Sequence, residues 1–353
     1  MLDSLCFNII FTRHTVRYLR LAALTLMERS SLRFRLVGNG ITDEEAVELQ
    51  SLCRVSPRFE FLDWPTGQVL PHGVILNGLA GLERGTHFCF GDSDIFALAP
   101  FDSALARAWN GQPVFSSCRR LENAPDGDYV GYMGGGATRS PEGWPLATSF
   151  FCVYERETLD RLRREYGTGF EQVYRRGQIP RGARPVLERL GVDAAQFDTG
   201  KLLGVLCRAE GIAPAFSEIG ELAHVGGLSG ELMRGARDSE PMGPPDLRDA
   251  DFAHFGRTIG ERSTAEDRRR GEAEMQAKRR IARYFAACLK HFIDGAPAPT
   301  QNLSPGPVRD RVESLVQTMR ECHLRHRECF AAPPARRPGR NRPKSRWREL
   351  LGW

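Results

Sequence analysis

The first hundred residues alternate between short apolar runs and segments whose apolar positions have a helical spacing. The apolar runs predict strands over residues 5–11, 33–37, 59–62 and 88–90, and the helical segments cover residues 15–27, 43–53 and 73–82. Helix 43–53 begins with a capping box, in which Thr42 is followed three residues later by Glu45. Strands that alternate with helices predict a parallel α/β sheet with right-handed crossovers.

The pattern becomes less regular after residue 100. A Gly-rich stretch at 131–145 predicts a loop, and residues 229–251, rich in Gly, Pro and charge, are typical of a domain edge. Further predictions are a strand at 147–154, helices at 156–166 and 199–209, a long amphipathic helix from 263, a second helix over 308–330 and a basic tail over 333–353.

Composition limits the class of protein. The chain has 353 residues, of which 41% are apolar and 26% charged, as in ordinary globular proteins. No run of 18 apolar residues is present, so we expect no membrane span. The N-terminus lacks the features of a secretory signal, and nine scattered cysteines suggest reduced, mostly buried thiols. The expected location is the cytoplasm.

The net charge of +5 comes from the C-terminal third, because residues 251–353 contain 22 Lys and Arg against 12 Asp and Glu. Basic residues beside an amphipathic helix fit peripheral contact with the inner face of a membrane, and a solvated tail fits equally well. A tail with few interleaved aromatic residues does not favour nucleic acid, so none is expected as a partner.

An acidic triplet, Asp92-Ser93-Asp94, directly follows the fourth predicted strand. Isolated acidic triplets are common in surface turns, but ligands of open α/β sheets bind at the carboxyl ends of strands. Two carboxylates at that edge can hold a divalent cation against a diphosphate. Asp94 is the favoured direct ligand, and Asp92 would reach a ribose or a water on the cation.

Two later residues have chemistry that fits this triplet. Asp198 precedes a predicted helix, where it would serve as an N-cap or as a general base, with Asp193 as the nearest competing acid. His224 lies in a Gly-rich turn and would be either a backbone-bonded turn residue or a third metal ligand.

In this order, the elements resemble the GT-A nucleotide-sugar glycosyltransferases over about residues 5–230. The likeness is closest to the inverting, family-2-like group, which places a pair of acids before a helix; here Phe197 replaces the first acid and Asp198 matches the second. The resemblance implies a GT-A (Rossmann-like) mixed sheet flanked by helices, an α/β fold with a C-terminal helical extension. It divides the chain into a nucleotide-sugar-binding half (1–100), an acceptor and catalytic half (101–235), a helical extension (250–332) and the tail.

The same resemblance implies transfer of a sugar from a UDP- or GDP-sugar to a hydroxyl of a glycan or lipid-linked acceptor, with inversion of the anomeric centre. The cofactor would be Mn²⁺ or Mg²⁺, held by Asp92, Asp94 and His224, with Asp198 as the base. Donor contacts are expected at strand ends and at the third helix: Thr12, Arg13, Asn39, Asp63, His72, Asn77, Asp92 and Ser93. Arg13 is the best candidate for a phosphate contact, because a guanidinium pairs with phosphate oxygens.

Four alternatives stay open. A retaining transferase of similar fold would make Asp198 a bystander, and a non-catalytic scaffold would dock through its basic C-terminus. A nucleotidylyltransferase is disfavoured because Thr12 and Arg13 stand where a Gly-rich loop would follow the first strand. Finally, Cys322, His326 and Cys329 lie on one helical face and could bind zinc, although such residues more often pack.

Overall fold

The computed structural model describes residues 2–64, 66–117, 138–139, 145–146, 150–192, 197–235, 245–252 and 265–331. Its strands are β1 (Cys6–Thr12), β2 (Arg33–Asn39), β3 (Phe59–Asp63), β4 (His87–Gly91), β5 (Ile95–Ala97), β6 (Val114–Ser116), β7 (Thr138–Arg139), β8 (Pro145–Leu146), β9 (Phe151–Glu155), β10 (Ala215–Phe216), β11 (Leu222–His224), β12 (Asp246–Arg248) and β13 (Thr300–Asn302). Its α-helices are α1 (Val16–Glu28), α2 (Asp43–Val55), α3 (His72–Leu82), α4 (Asp102–Trp109), α5 (Arg156–Tyr166), α6 (Arg184–Arg189), α7 (Lys201–Ala209), α8 (Leu228–Gly235), α9 (Ala265–Asp294) and α10 (Pro307–Arg325).

Seven strands form one mixed sheet in the order β10-β6-β9-β4-β1-β2-β3. β1 pairs in parallel with β2 and β4, β2 with β3, and β6 with β10. β9 runs antiparallel to both of its neighbours, β4 and β6. This confirms the predicted fold class, a mixed α/β sheet flanked by helices.

Apolar side chains on both of its faces explain why β1 lies inside the sheet, between β4 and β2. Along β1, Phe7, Ile9 and Phe11 belong to one hydrophobic cluster and Ile10 to a second, because successive side chains of a strand point to opposite faces. The first cluster also takes residues from α1, α2, α9 and α10, and the second takes residues from α3, α5 and α7. Helices therefore cover both faces, as a largely parallel sheet requires.

Local sequence signals set several helix ends. The predicted capping box of α2 is present, because Thr42 accepts from the backbone N–H of Glu45 and the Glu45 carboxylate accepts from that of Thr42. α5 spans its predicted residues, and it ends at Gly167, whose φ of 64° is the left-handed conformation that glycine adopts readily. α7 begins at Lys201, two residues later than predicted.

The C-terminal helices pack onto the same core as the sheet. Ile281, Phe285 and Leu289 of α9 share the hydrophobic cluster of α1, as do Val312 and Leu315 of α10. The predicted second helix over 308–330 is α10 followed by a 3₁₀ turn at Arg327–Phe330.

Some predictions fall outside the described residues. These are the tail over 333–353 and most of the loop over 131–145, of which only residues 138, 139 and 145 are described, in the β7–β8 pair. Within the part of the chain that the structure describes, no helix is long and apolar enough to cross a membrane.

Candidate metal centre

The acidic triplet lies at the carboxyl edge of the sheet, between the end of β4 and the start of β5. Asp94 is buried, with 5% of its surface exposed, whereas Asp92 is half-buried. The backbone N–H of Asp92 donates to the carbonyl oxygen of Phe150 over 2.7 Å, which continues the β4–β9 pairing by one residue. The triplet is thus fixed by sheet hydrogen bonds on its β4 side.

His224 reaches the triplet through a second, short sheet. β11 pairs antiparallel with β5, and this register places His224 opposite Ile95, the residue after Asp94. The N–H of Val225 then donates to the carbonyl oxygen of Asp94 over 3.0 Å. Two strands that are far apart in sequence therefore bring the imidazole to the two carboxylates.

The three side chains form a compact cluster. Nε2 of His224 lies 3.4 Å from Oδ2 of Asp92 and 3.3 Å from Oδ1 of Asp94. One nitrogen and two carboxylate oxygens lie within 4.8 Å of one another, close enough to share one metal ion. The structure therefore brings together the three residues that the sequence suggested as metal ligands.

The electrostatics of this cluster favour a positive charge. Burial alone would lower the pKa of His224, but hydrogen bonds to Asp92 and Asp94 and their negative charges outweigh it and raise the pKa to about 9. Burial would likewise raise the pKa of Asp94, whereas its hydrogen bond to His224 and the imidazolium charge lower it. Two carboxylates whose oxygens lie within 4.8 Å of one another favour a positive charge between them, which a proton on His224 or a metal ion can supply.

Two residues that the sequence did not reveal hold the cluster in place. Ser229, at the start of α8, directs its backbone N–H and its hydroxyl at Oδ2 of Asp94, each over 3.4 Å. Its hydroxyl also lies 3.4 Å from that of Ser93. The ring of Phe150 stacks on His224 with centroids 4.7 Å apart and planes 3° apart. These contacts fix the orientation of Asp94 and His224, as outer partners of metal sites commonly do for ligands.

Three predicted donor contacts at the ends of β1 and β2 have partners within the protein. Thr12 donates from its hydroxyl to Sδ of Met233, over 3.4 Å. Arg13 donates from Nε to the carbonyl oxygen of Gly40 over 2.8 Å and from Nη2 to that of Gly67 over 3.2 Å. The amide of Asn39 makes two hydrogen bonds of 2.9 Å to the backbone of Leu70. Arg13 and Asn39 thus stabilise the loop between β3 and α3.

The other predicted donor contacts lie around α3. Asp63 is the last residue of β3 and stands opposite Gly38 in the register. His72 begins α3, and its ring meets the edge of Phe90 at a centroid distance of 6.4 Å. Asn77 accepts from the backbone N–H of Phe170 over 2.8 Å, which fixes the loop after α5. The ring contact of His72 is thus with β4, the strand that precedes the triplet.

Asp198 is exposed and stands two residues before Gly200, the N-cap of α7. Its Oδ1 accepts from the amide of Gln172 over 2.6 Å and from the backbone N–H of Thr199 over 2.8 Å. The hydroxyl of Tyr174 donates in turn to Oε1 of Gln172. Asp193, the competing acid, lies outside the described residues.

A second cluster of metal-type side chains joins α1 to α10. Glu28, Cys322 and His326 offer ligand atoms within 4.8 Å of one another. Arg325 already donates to both oxygens of Glu28, over 2.8 and 2.6 Å, and Nε2 of His326 lies 2.9 Å from Oε1. Two of the residues suggested as zinc ligands, Cys322 and His326, therefore lie beside Glu28, whose carboxylate oxygens already accept hydrogen bonds within the protein.

Comparisons with known proteins give the following. No protein-family model matches the sequence, and no curated protein matches it. A galactosyltransferase LgtC, in complex with donor and acceptor sugar analogues, is 11% identical with a TM-score of 0.40, over 91% of this chain and 96% of that one.

Two further solved structures are also glycosyltransferases. A mannosyltransferase of Pyrobaculum calidifontis, in complex with GDP-Man and Mn²⁺, is 13% identical with a TM-score of 0.34, over 92% of this chain and 85% of that one. The apo form of GlyE from Streptococcus pneumoniae TIGR4 is 10% identical with a TM-score of 0.35, over 60% of this chain and 45% of that one. At such values, function has to be argued from the site itself.

Proposed function

We propose that this protein is a metal-dependent glycosyltransferase that moves a sugar from a nucleotide-diphosphate donor to a hydroxyl of a glycan or lipid-linked acceptor. The observation that carries the proposal is the cluster of Asp92, Asp94 and His224 at the carboxyl edge of a mixed sheet. Ligands of open α/β sheets bind at that edge, and a diphosphate needs a cation there.

The donor atoms of the cluster suit Mn²⁺ better than Mg²⁺. Carboxylate oxygens suit both ions, but Mg²⁺ strongly prefers an all-oxygen octahedron, whereas imidazole nitrogen belongs to transition-metal sites. Asp92, Asp94 and His224 would hold the ion. When bound, it would neutralise the charge that develops on the leaving diphosphate.

In the proposal, Asp198 is the catalytic base, and Arg13 and Asn39 belong to the side of the site that binds the nucleotide. Asp198 would take the proton of the acceptor hydroxyl at its carboxylate, which the donors Gln172 and Thr199 hold in one orientation. The nucleotide would lie along the carboxyl ends of β1–β3 and the start of α3. There, Arg13 and Asn39 shape the loop that borders it, since their polar atoms already bind backbone groups.

The test is an assay of nucleotide release from UDP- and GDP-sugars with Mn²⁺, repeated with Mg²⁺. We expect release with Mn²⁺ and loss of release with EDTA or in Asp94→Ala. A protein that binds no nucleotide sugar, or whose activity survives Asp94→Ala, contradicts the proposal.

Inversion at the anomeric carbon is part of the proposal, and product analysis tests it. An inverting enzyme needs Asp198 as a base, so Asp198→Asn should lower turnover while leaving Mn²⁺ affinity unchanged. A retained anomer, with an active Asp198→Asn enzyme, would assign the protein to the retaining class. Donor binding without turnover would favour the scaffold alternative.

A further inference from the structure

A lysine of the C-terminal helix α9 lies against the turn that follows His224. A Cβ built on Gly226 would be 3.2 Å from Cε and 3.4 Å from Nζ of Lys278, and the same point is 3.5 Å from Cε1 of His224. A Cβ on Gly227 would be 3.6 Å from Cε of the same lysine. Both groups thus border the same point, so Nζ of Lys278 lies no more than about 7 Å from Cε1 of His224 in the candidate metal centre.

The two glycines explain how the lysine comes so close. Gly227 has a φ of 91°, which side-chain-bearing residues rarely adopt, and its neighbour Gly226 would crowd Lys278 if it carried a side chain. Because neither Gly226 nor Gly227 has a side chain, the four-carbon stem of Lys278 can lie across this turn. Sequence reasoning missed this residue because it is in the helical extension, 54 positions after His224.

The charge of Lys278 is available to a ligand. Across the residues that the structure describes, Lys278 makes no hydrogen bond and no ion pair, although it is half-buried. Nearby basic side chains are engaged: Arg283 and Arg234 pair with Glu231, and Arg13 donates to backbone carbonyls. A half-buried ammonium near a candidate cation site, with no acidic partner among the described residues, fits an anion that the cation also binds.

We infer that Lys278 binds the diphosphate of the donor, on the His224 side of the cation, so that the C-terminal extension completes the donor site. The inference rests on the proposed function and assigns the extension a part in it. An ammonium is a compact point charge, suited to phosphate oxygens whatever nucleoside they carry. It would stabilise the substrate and, more strongly, the diphosphate as it leaves.

The alternative is that Lys278 only packs its stem on the two glycines. Lys278→Met separates these roles, because it keeps an unbranched apolar side chain and removes the charge, and Lys278→Arg restores a charge. Lys290→Met is a matched control. Lys290 belongs to the same helix, and its Nζ lies 3.0 Å from a Cβ built on another glycine, Gly235. It is about 18 Å further along the helix.

The experiment is titration calorimetry in two stages, first with Mn²⁺ alone and then with inorganic pyrophosphate, UDP or GDP in saturating Mn²⁺. Pyrophosphate tests the phosphate contact without assuming a base. We expect Lys278→Met to bind Mn²⁺ within twofold of wild type and pyrophosphate about 10- to 100-fold more weakly. Lys278→Arg should recover most of that affinity, and Lys290→Met should equal wild type.

Each other outcome identifies what fails. Wild type that binds pyrophosphate with Mn²⁺, and a Lys278→Met variant that binds it equally well, overturn the inference and leave the proposed function standing. A folded Lys278→Arg variant that binds pyrophosphate as weakly as Lys278→Met also overturns it, because packing would then be the role. Wild type that binds Mn²⁺ but neither pyrophosphate nor any nucleoside diphosphate overturns both.

Discussion

Two clusters in this protein look alike by residue type and differ in what surrounds them. Asp92, Asp94 and His224 lie at the sheet edge, and Glu28, Cys322 and His326 lie between α1 and α10; each set lies within 4.8 Å. Both histidines have a pKa raised to about 9. In the first, two carboxylates face one imidazole, whereas in the second one carboxylate faces an imidazole and a guanidinium.

The difference shows that a metal site depends on unbalanced charge as well as on ligand geometry. Arg325 already neutralises Glu28, so a metal ion there would have to displace a bidentate hydrogen-bonded partner. The first cluster sets two carboxylates against one imidazole, so negative charge is in excess there even when His224 is protonated. We therefore interpret the first as a cation site and the second as an ion-pair clasp that fastens α10 to α1.

The largest expected effect is on the first cluster. Asp94→Asn keeps the shape of the side chain and removes the charge, so Mn²⁺ affinity should fall about 100-fold or more. Calorimetry measures this, and Asp160→Asn, an exposed carboxylate on α5, is the control. Unchanged Mn²⁺ affinity in Asp94→Asn would rule out the first cluster as a cation site.

Substitutions in the clasp should change the free energy of unfolding and leave metal binding unchanged. Glu28→Gln removes the partner of Arg325 and His326, and we expect it to lower the free energy of unfolding by about 2 kcal/mol. Urea denaturation measures this. Glu321→Gln is the control, since Glu321 is exposed and 4.0 Å from Arg325. Zinc that stabilises wild type but not Glu28→Gln would restore the zinc hypothesis.

Removing a side chain that only contacts the first cluster should lower Mn²⁺ affinity less than removing a carboxylate of the cluster itself. Ser229→Ala removes the hydroxyl that Asp94 accepts from over 3.4 Å but leaves the backbone donor. Mn²⁺ affinity should fall about 10-fold, at the lower end for such supporting residues, with no change in unfolding free energy. A loss as large as that of Asp94→Asn would show that Ser229 itself contacts the ion.

The smallest effect is the pH dependence of the clasp. Hydrogen bonds to Cys329 and Glu28 raise the pKa of His326 from 6.5 to about 9. Burial alone would raise the pKa of Glu28, but hydrogen bonds from His326 and Arg325 outweigh it and lower this pKa from 4.5 to about 2. The contribution of His326 to the free energy of unfolding is therefore complete below pH 6.5 and is lost as the pH rises through 9. The contribution of Glu28 is complete above pH 4.5 and is lost as the pH falls to 2.

Denaturation of wild type and His326→Gln across pH checks this. The difference in unfolding free energy should be about 1 kcal/mol between pH 5 and 6 and should disappear near pH 10. A difference that grows with rising pH would mean that the neutral imidazole is the stabilising form.

Sequence periodicity predicted the elements whose burial pattern is local. The four strands predicted in the first hundred residues and the helices between them are in place to within two residues, because alternating burial and capping depend on near neighbours. β5, β6 and α4 were missed. β5 and β6 have three residues each, and the antiparallel direction of β9 depends on pairing with distant strands.

In the candidate site too, local sequence indicated some residues, whereas others are placed there only by contacts between distant segments. Asp92 and Asp94 could be found because their chemistry coincides with a strand end. The meeting of His224 with them depends on the β5–β11 register, and Phe150, Ser229 and Lys278 reach it from three other segments. His224 was suggested as a ligand from its place in a Gly-rich turn, but nothing in the sequence near Phe150, Ser229 or Lys278 indicates their contacts.

Arg311 of α10 connects the last helix to the strand that carries His224. Its Nη1 donates to the carbonyl oxygen of Gly220 and its Nη2 to that of Leu222, each over 2.6 Å. Arg311 follows Leu222 by 89 residues in the chain. During synthesis on the ribosome, β11 can receive these bonds only after α10 has left the exit tunnel. Ribosome-stalled chains that end before α10 should therefore bind the cation poorly, however complete their sheet.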